Sequence, residues 1–375
     1  MPAHLAIACG GTGGHFYPTL AVARAFARDG SRVTLLLAGK HVEEQAKTAA
    51  QHGFETVTLP AVRLPSTVSE ALLFLPRLAS CVLQARKTLR RLQPDIMLGM
   101  GSFAAVPACL ACPRRIPLVL HEGNACMGKT NRLFIRRADA IGLTLPLAYP
   151  RQSRGTTAVM VGMPLREALL AAVDAPRAPA FLSSLGLKPD RKTVLVFGGS
   201  QGARFINELF ADTAAVLPPT TAAHLQFMHL TGTDDNDALV KAYQQADIPA
   251  SIRRADPNIE SCYAAADLVV CRAGASSICE LALFAKPAVL IPLPTAADNH
   301  QAVNAELLQH AQAAVHFPQS EATPDKLAST LNDWLENPEK WNLMGQNLHD
   351  FARPQAADDL VELLRETLKR RQKKP

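Results

Sequence analysis

Short apolar runs alternate with stretches of helical spacing along the whole chain. Residues 4–9, 32–38 and 54–62 read as strands, as do 95–101, 118–120 and 158–161. Between them, Leu20, Val22, Ala23 and Phe26 line one face of a helix with Pro18 near its first turn. Residues 66–91 form a longer helical stretch interrupted at Pro76. Apolar strands separated by helices predict a parallel sheet covered on both faces. The pattern then begins again: strand 193–197, helix 203–217, strand 225–230, helix 235–245, and an apolar run from Asp267 into a helix carrying Ile278, Leu281, Ala282 and Ala285. Helical segments near 324–336, 338–350 and 354–372 close the chain, the last amphipathic through Leu360, Leu363 and Leu364. The Pro- and Ala-rich segment 174–191 reads as a boundary. The expected fold class is α/β, with one β/α domain over 1–163, a second over 164–352, and helix 353–375 packing back on the first.

Both halves open on a strand, a glycine loop and a helix. The first loop is Gly10-Gly-Thr-Gly-Gly-His15 and the second Gly198-Gly-Ser-Gln-Gly202. Glycine at this density marks a backbone that something approaches closely. The dinucleotide fingerprint is not met, because Phe16 takes the third-glycine place and the second strand ends Leu37-Ala-Gly-Lys40 without an acidic residue. NAD and FAD are therefore not expected. In the second half the apolar run stops at Arg272-Ala-Gly274, and Ser276 or Ser277 is the expected N-cap of the next helix. A helix start after a small-residue turn presents unpaired N–H groups and a positive dipole end, which suits a phosphate. Glu280 lies about one turn inside. A carboxylate repels a diphosphate, so its expected ligand is a hydrogen-bond donor such as a ribose diol. An ordinary β-α-β unit with a solvated glutamate is the other reading.

Composition narrows the partners. The 375 residues are 48% hydrophobic and 19% charged, a globular balance, with a formal charge of +6. The charge is uneven: Arg86, Lys87, Arg90 and Arg91 cluster, and the tail from Lys369 to Lys374 is strongly basic. Only 5% of residues are aromatic and no binding motif accompanies the charge, so no nucleic-acid partner is expected. Ahead of the cluster lie Leu72, Leu73, Phe74 and Leu75, too few to span a bilayer, which needs ~20 apolar residues. An apolar run beside arginines suits an anionic membrane surface, and equally a helix packed on the sheet; both hold if different faces serve. The eight cysteines sit mostly inside apolar runs, and Cys109 and Cys112 have ligand spacing without a second pair, so packing is expected there. Reduced thiols and the lack of a basic leader before Ile7 point to the cytoplasm.

Two glycine loops facing over a cleft make a site between the domains. The first domain offers His15, His121, Glu122 and Asn124, types that suit general acid–base work, although His121 equally suits a buried orienting role. The second offers Ser200, the helix start at 275–277 and Glu280. Asp298 would cap the helix that follows, and Gln301 would read a sugar hydroxyl. No Asp-x-Asp pair ends a strand, so no metal and no other cofactor is expected; Arg166 or Arg272 would supply compensating charge.

Six motifs occur in order: Gly10–His15 as above, His121-Glu-Gly-Asn124, Val161-Gly-Met-Pro-Leu-Arg166, Gly198-Gly-Ser-Gln-Gly-Ala-Arg204, Arg272-Ala-Gly-Ala-Ser-Ser-Ile-Cys-Glu280 and Ala297-Asp-Asn-His-Gln-Ala302. Together they resemble the MurG family of bacterial transferases over nearly the whole length. The resemblance implies two Rossmann-like domains in the GT-B arrangement. It implies transfer of N-acetylglucosamine from UDP-N-acetylglucosamine to undecaprenyl-diphospho-muramyl-pentapeptide (lipid I to lipid II), with inversion to a β-1,4 link in peptidoglycan synthesis. It also implies a peripheral position on the cytoplasmic face of the plasma membrane. By motif, Thr12, Gly13, Gly14, Asn124, Arg166, Ser200, Ala275, Ser276, Ser277, Ile278, Cys279, Glu280 and Gln301 would line the donor site. His15 would act at the reaction centre, as base or as partner to the departing phosphate, with His121 and Glu122 beside it. Residues 254–259 depart from the family pattern, and Asp256 aligns with the uracil contact. A GT-B transferase acting on another lipid, such as a diacylglycerol, and a silent sugar-nucleotide-binding protein are the alternatives.

Overall fold

The computed structural model describes residues 2–11, 13–61, 67–173, 179–199 and 203–373. Thr12 and Ser200 lie outside them. Two compact units result, one of residues 1–166 with 353–375, the other of residues 167–352. The chain passes from the first to the second between Arg166 and Glu167, upstream of the Pro- and Ala-rich segment.

The first unit holds seven strands: β1 (His4–Gly10), β2 (Arg32–Ala38), β3 (Glu55–Thr58), β4 (Ile96–Gly99), β5 (Leu118–Glu122), β6 (Ala140–Leu143) and β7 (Thr157–Met160). They form one parallel sheet in the order β3-β2-β1-β4-β5-β6-β7, with His4 opposite Arg32 and Leu5 opposite Ile96. Side chains alternate across it as the strand period requires. Leu5, Ile7 and Cys9 face one cluster with Phe16, Leu20 and Phe26, and Ala6 and Ala8 face another with Ala85 and Leu89.

The second unit holds β8 (Lys192–Phe197), β9 (Leu225–Leu230), β10 (Ala250–Arg253), β11 (Leu268–Cys271), β12 (Ala288–Leu290) and β13 (Val315–His316). Its parallel sheet runs β10-β9-β8-β11-β12-β13. In each sheet the chain winds outward from the first strand, then returns to that strand's other side. The reversals fall between β1 and β4 and between β8 and β11, where open α/β sheets leave a crevice at the strands' C-terminal ends.

Three local readings are corrected. β6 and β10 carry no clear sequence signal: β6 is four residues with Gly142 inside, and β10 is a half-buried edge strand with Ile252 its only large apolar residue. Pro76 does not break its helix, which runs unbroken over Val68–Leu92. Proline deletes the bond to the Leu72 carbonyl, but Leu72 is 76% exposed, so water can take that place. The helix that ends the chain begins at Ala356 and packs Leu360, Leu363 and Leu364 against Val22, Ala23 and Phe26. Arg28 pairs with Asp358 at 2.6 Å and Arg371 with Asp139 at 2.7 Å along its flanks.

Candidate active site

In the first unit the crevice is bordered by Gly10 and Gly11, both at positive φ. A Cβ at Gly10 would run into the Ala38 carbonyl oxygen, so this turn admits glycine only. The helix Gly13–Ala27 starts at the loop and places His15 in its third position, half-exposed. Gly13 lies under the ring of Tyr17, and the Arg166 guanidinium stands 5.3 Å from that ring's centre. Arg166 is thereby brought to the glycine loop by a residue that the motif comparison passed over.

His121 and Glu122 end β5 and are buried, each 3% exposed. The Nε2 atom of His121 lies 3.0 Å from the Gly162 carbonyl, which only accepts, so Nε2 carries the proton. Burial pushes its pKa down to about 4; the Gly162 bond opposes the shift and the His15 charge adds to it. A neutral, clamped imidazole of this kind orients its surroundings. Glu122 accepts from the Asn124 backbone and side chain through Oε1. Through Oε2 it accepts from the Gly128 backbone at 2.8 Å and Asn131 Nδ2 at 2.9 Å. Four donors occupy its lone pairs, so Glu122 braces the loop at 123–131 and has no place in proton transfer.

The His121 shift has a sign that can be checked. Its ordinary value is 6.5, so between pH 6.5 and 4 the unfolded chain takes up a proton that the folded chain refuses. Its contribution to stability is complete above that window and is lost as pH falls through it, at about 1.4 kcal/mol per pKa unit. Urea midpoints of the wild type are expected to fall over this range more steeply than those of His121→Gln. Parallel slopes would contradict the assignment.

In the second unit, β11 leads into the helix Ala275–Leu283. Its N-cap is Gly274, with no side-chain cap, and not Ser276 or Ser277, which occupy the second and third helical positions. The Ile278 N–H already bonds the Gly274 carbonyl at 3.0 Å, and the Ile278 and Cys279 side chains are buried. That leaves the amides of Ala275, Ser276 and Ser277 as the first-turn donors, at the positive end of the helix. Asn304, fully buried, bonds the Ala273 carbonyl at 3.0 Å and fixes the turn. Glu280 follows at the sixth helical position, half-buried, its Oε2 accepting from the Tyr263 hydroxyl at 2.8 Å.

Gln301 accepts from the Leu293 N–H at 3.0 Å through Oε1, leaving its NH2 group as donor. Its helix, His300–His310, is capped by Asn299 in the left-handed region, and Asp298 is not the cap. Arg272 is 5% exposed and donates to the carbonyls of Ile291 and Pro292, so it staples β11 to the end of β12 instead of facing a phosphate. Burial lowers its pKa only to about 10, and it keeps its charge. Asp256 also faces inward: its side chain is 2% exposed, pairs with Arg253 and accepts from the Asn258 N–H at 2.8 Å. Only its backbone is left for a ligand. Among the described residues no cluster of His, Cys, Asp and Glu could hold a metal.

On the helix Val68–Leu92, Leu72, Leu73 and Leu75 are exposed by 76%, 50% and 70%, while Phe74 is half-buried. Arg86 and Arg90 of the same helix and Arg115 ring a hollow floored by Leu89, Ala111 and Pro113. Among the described residues no helix is long and apolar enough to cross a membrane.

The family model described as glycosyltransferase family 28 N-terminal domain matches residues 5–143, and that described as the C-terminal domain matches residues 193–360. A UDP-N-acetylglucosamine--N-acetylmuramyl-(pentapeptide) pyrophosphoryl-undecaprenol N-acetylglucosamine transferase of Verminephrobacter eiseniae is 42% identical, over 88% of this chain and 89% of the relative. A protein of the same name from Ectopseudomonas mendocina is 36% identical over 98% of this chain and 100% of its own length. The crystal structure of Acinetobacter baumannii MurG superposes with a TM-score of 0.76 at 25% identity, covering 97% of this chain and 100% of that one.

Proposed function

We infer the reaction from a plain premise: the chain belongs to glycosyltransferase family 28, and within it to the UDP-N-acetylglucosamine–N-acetylmuramyl-(pentapeptide) pyrophosphoryl-undecaprenol N-acetylglucosamine transferases. It is a glycosyltransferase with the two parallel-sheet domains of the GT-B fold. It moves N-acetylglucosamine from UDP-N-acetylglucosamine to the muramyl 4-hydroxyl of undecaprenyl-linked muramyl-pentapeptide, inverting the anomeric carbon, in peptidoglycan synthesis.

One observation supports the donor half of this reading above the others. At the reversal point of the second sheet stands a helix start with no side-chain cap, and a carboxylate lies on the same helix. The amides of Ala275, Ser276 and Ser277 take the diphosphate and spread the charge that grows as UDP leaves. Glu280 takes the ribose diol, and the Gln301 NH2 reads a sugar hydroxyl. In the first unit Gly13, Gly14, Asn124 and Arg166 belong to the donor side, with Thr12; Ser200 adds to it from the second. His15 takes the proton of the attacking hydroxyl. Isothermal titration with UDP, UDP-N-acetylglucosamine and UDP-glucose tests the donor, with tightest sugar-nucleotide binding expected for UDP-N-acetylglucosamine. Transfer to lipid-linked muramyl-pentapeptide and none to diacylglycerol tests the acceptor. Failure to bind the first donor, or turnover on diacylglycerol alone, removes the reading.

A lipid acceptor calls for a seat at a membrane, and the exposed leucines with the basic hollow support a peripheral one. Leu72 and Leu75 lie on one side of their helix together with Leu83, itself 66% exposed. Each leucine that enters the acyl boundary gains about 1.5–3 kcal/mol, and the arginines draw anionic headgroups. The double variant Leu72→Glu with Leu75→Glu is expected to lose at least tenfold in co-sedimentation with anionic vesicles. Its melting temperature should hold, because both side chains are already in water. Undiminished sedimentation would dismiss this surface.

A further inference from the structure

We propose that Tyr263 is a positioning residue for the donor's nucleoside, its hydroxyl fixing one oxygen of the Glu280 carboxylate so that the group meets a vicinal diol in one orientation. The proposal rests on the donor-site reading above and adds a residue that the six motifs do not contain.

Three neighbours hold the phenol in place. Tyr263 is fully buried on the helix Ile259–Ala265. Its ring stacks on Phe284 at 5.4 Å and 16°, and meets Phe197 edge-on at 6.1 Å and 90°. Phe197 ends β8 and Phe284 follows the helix of Glu280, so the ring is wedged between the two elements that border the crevice. From there its hydroxyl reaches Glu280 Oε2 at 2.8 Å. A buried phenol seeks a partner, but a phenol on a half-buried carboxylate also removes much of the freedom of a long side chain. Ordering a glutamate costs up to about 1.5–2 kcal/mol, and a carboxylate ordered in advance spares the ligand that cost. With Oε2 held by Tyr263 the plane of the carboxylate is set, as bidentate capture of adjacent hydroxyls requires.

The test separates this role from packing and from the donor-site reading itself. Tyr263→Phe keeps the ring and its stacking and deletes one oxygen. It is titrated with UDP and with 2′,3′-dideoxy-UDP, beside the wild type and Glu280→Gln. The expected result is UDP binding weakened by up to about ten- to thirtyfold in Tyr263→Phe, the cost of ordering a released glutamate, with dideoxy-UDP binding unchanged. In turnover, KM for the sugar nucleotide should rise and kcat stay. Equal weakening of both nucleotides would mean packing only, and unchanged UDP binding would mean no role; either overturns the proposal. Should Glu280→Gln still prefer UDP over the dideoxy nucleotide by the full wild-type margin, the diol site fails and Tyr263 falls with it. If Tyr263→Phe does not fold, Tyr263→Met, which fills the space without a hydroxyl, is read in the same way.

Discussion

Glu280→Gln is expected to lower kcat/KM for UDP-N-acetylglucosamine by about 10²-fold. Hydrogen bonds to a charged group are worth about 1.5–3 kcal/mol each, and a diol makes two of them. Glutamine keeps the shape and can still accept from Tyr263 through its carbonyl, so the effect isolates the lost charge. The ribose does not change between ground state and transition state, so the loss should appear in KM and leave kcat nearly intact. Initial rates over a range of donor concentrations measure the split. A variant within threefold of wild type in kcat/KM would place the ribose elsewhere.

The other large effect is expected in kcat. His15→Ala should lower it by about 10²–10⁴, the range for losing a general base, while UDP-N-acetylglucosamine binds as before. The side chain is half-exposed at the start of its helix, so little stability goes with it. Single-turnover rates with calorimetric donor binding give both quantities. Unaltered turnover would leave the reaction centre without its base, and a matching loss of donor affinity would make His15 a phosphate contact. His121 and Glu122 are not rivals for the role, because the one is neutral and clamped and the other has its lone pairs filled.

What was legible in the sequence follows from how local each signal is. Strand, glycine loop and helix are written within one short stretch of chain, so the opening of each sheet and its crevice could be read, while the weak strands β6 and β10 could not. The helix start before Glu280 could be read as well, although the cap fell on Gly274 because the turn closes ahead of both serines. Roles set by distant partners could not. Glu122 looks catalytic beside His121 until Gly128 and Asn131 turn out to fill its oxygens. Arg272 looks like a phosphate ligand until the ends of β11 and β12 come together around it. Asp256 aligns with a base contact, yet its carboxylate serves its own turn. Tyr263 is seventeen positions from Glu280, on another helix, and nothing in the spacing joins them.

The first unit is written by two separated stretches of the gene. Its apolar interior includes Leu360, Val361, Leu363 and Leu364, which a ribosome delivers only after the whole of the second unit. The second unit, translated between these stretches, has all its pieces earlier and can close while its predecessor still waits. A nascent chain therefore completes its domains in the reverse of the order in which it begins them.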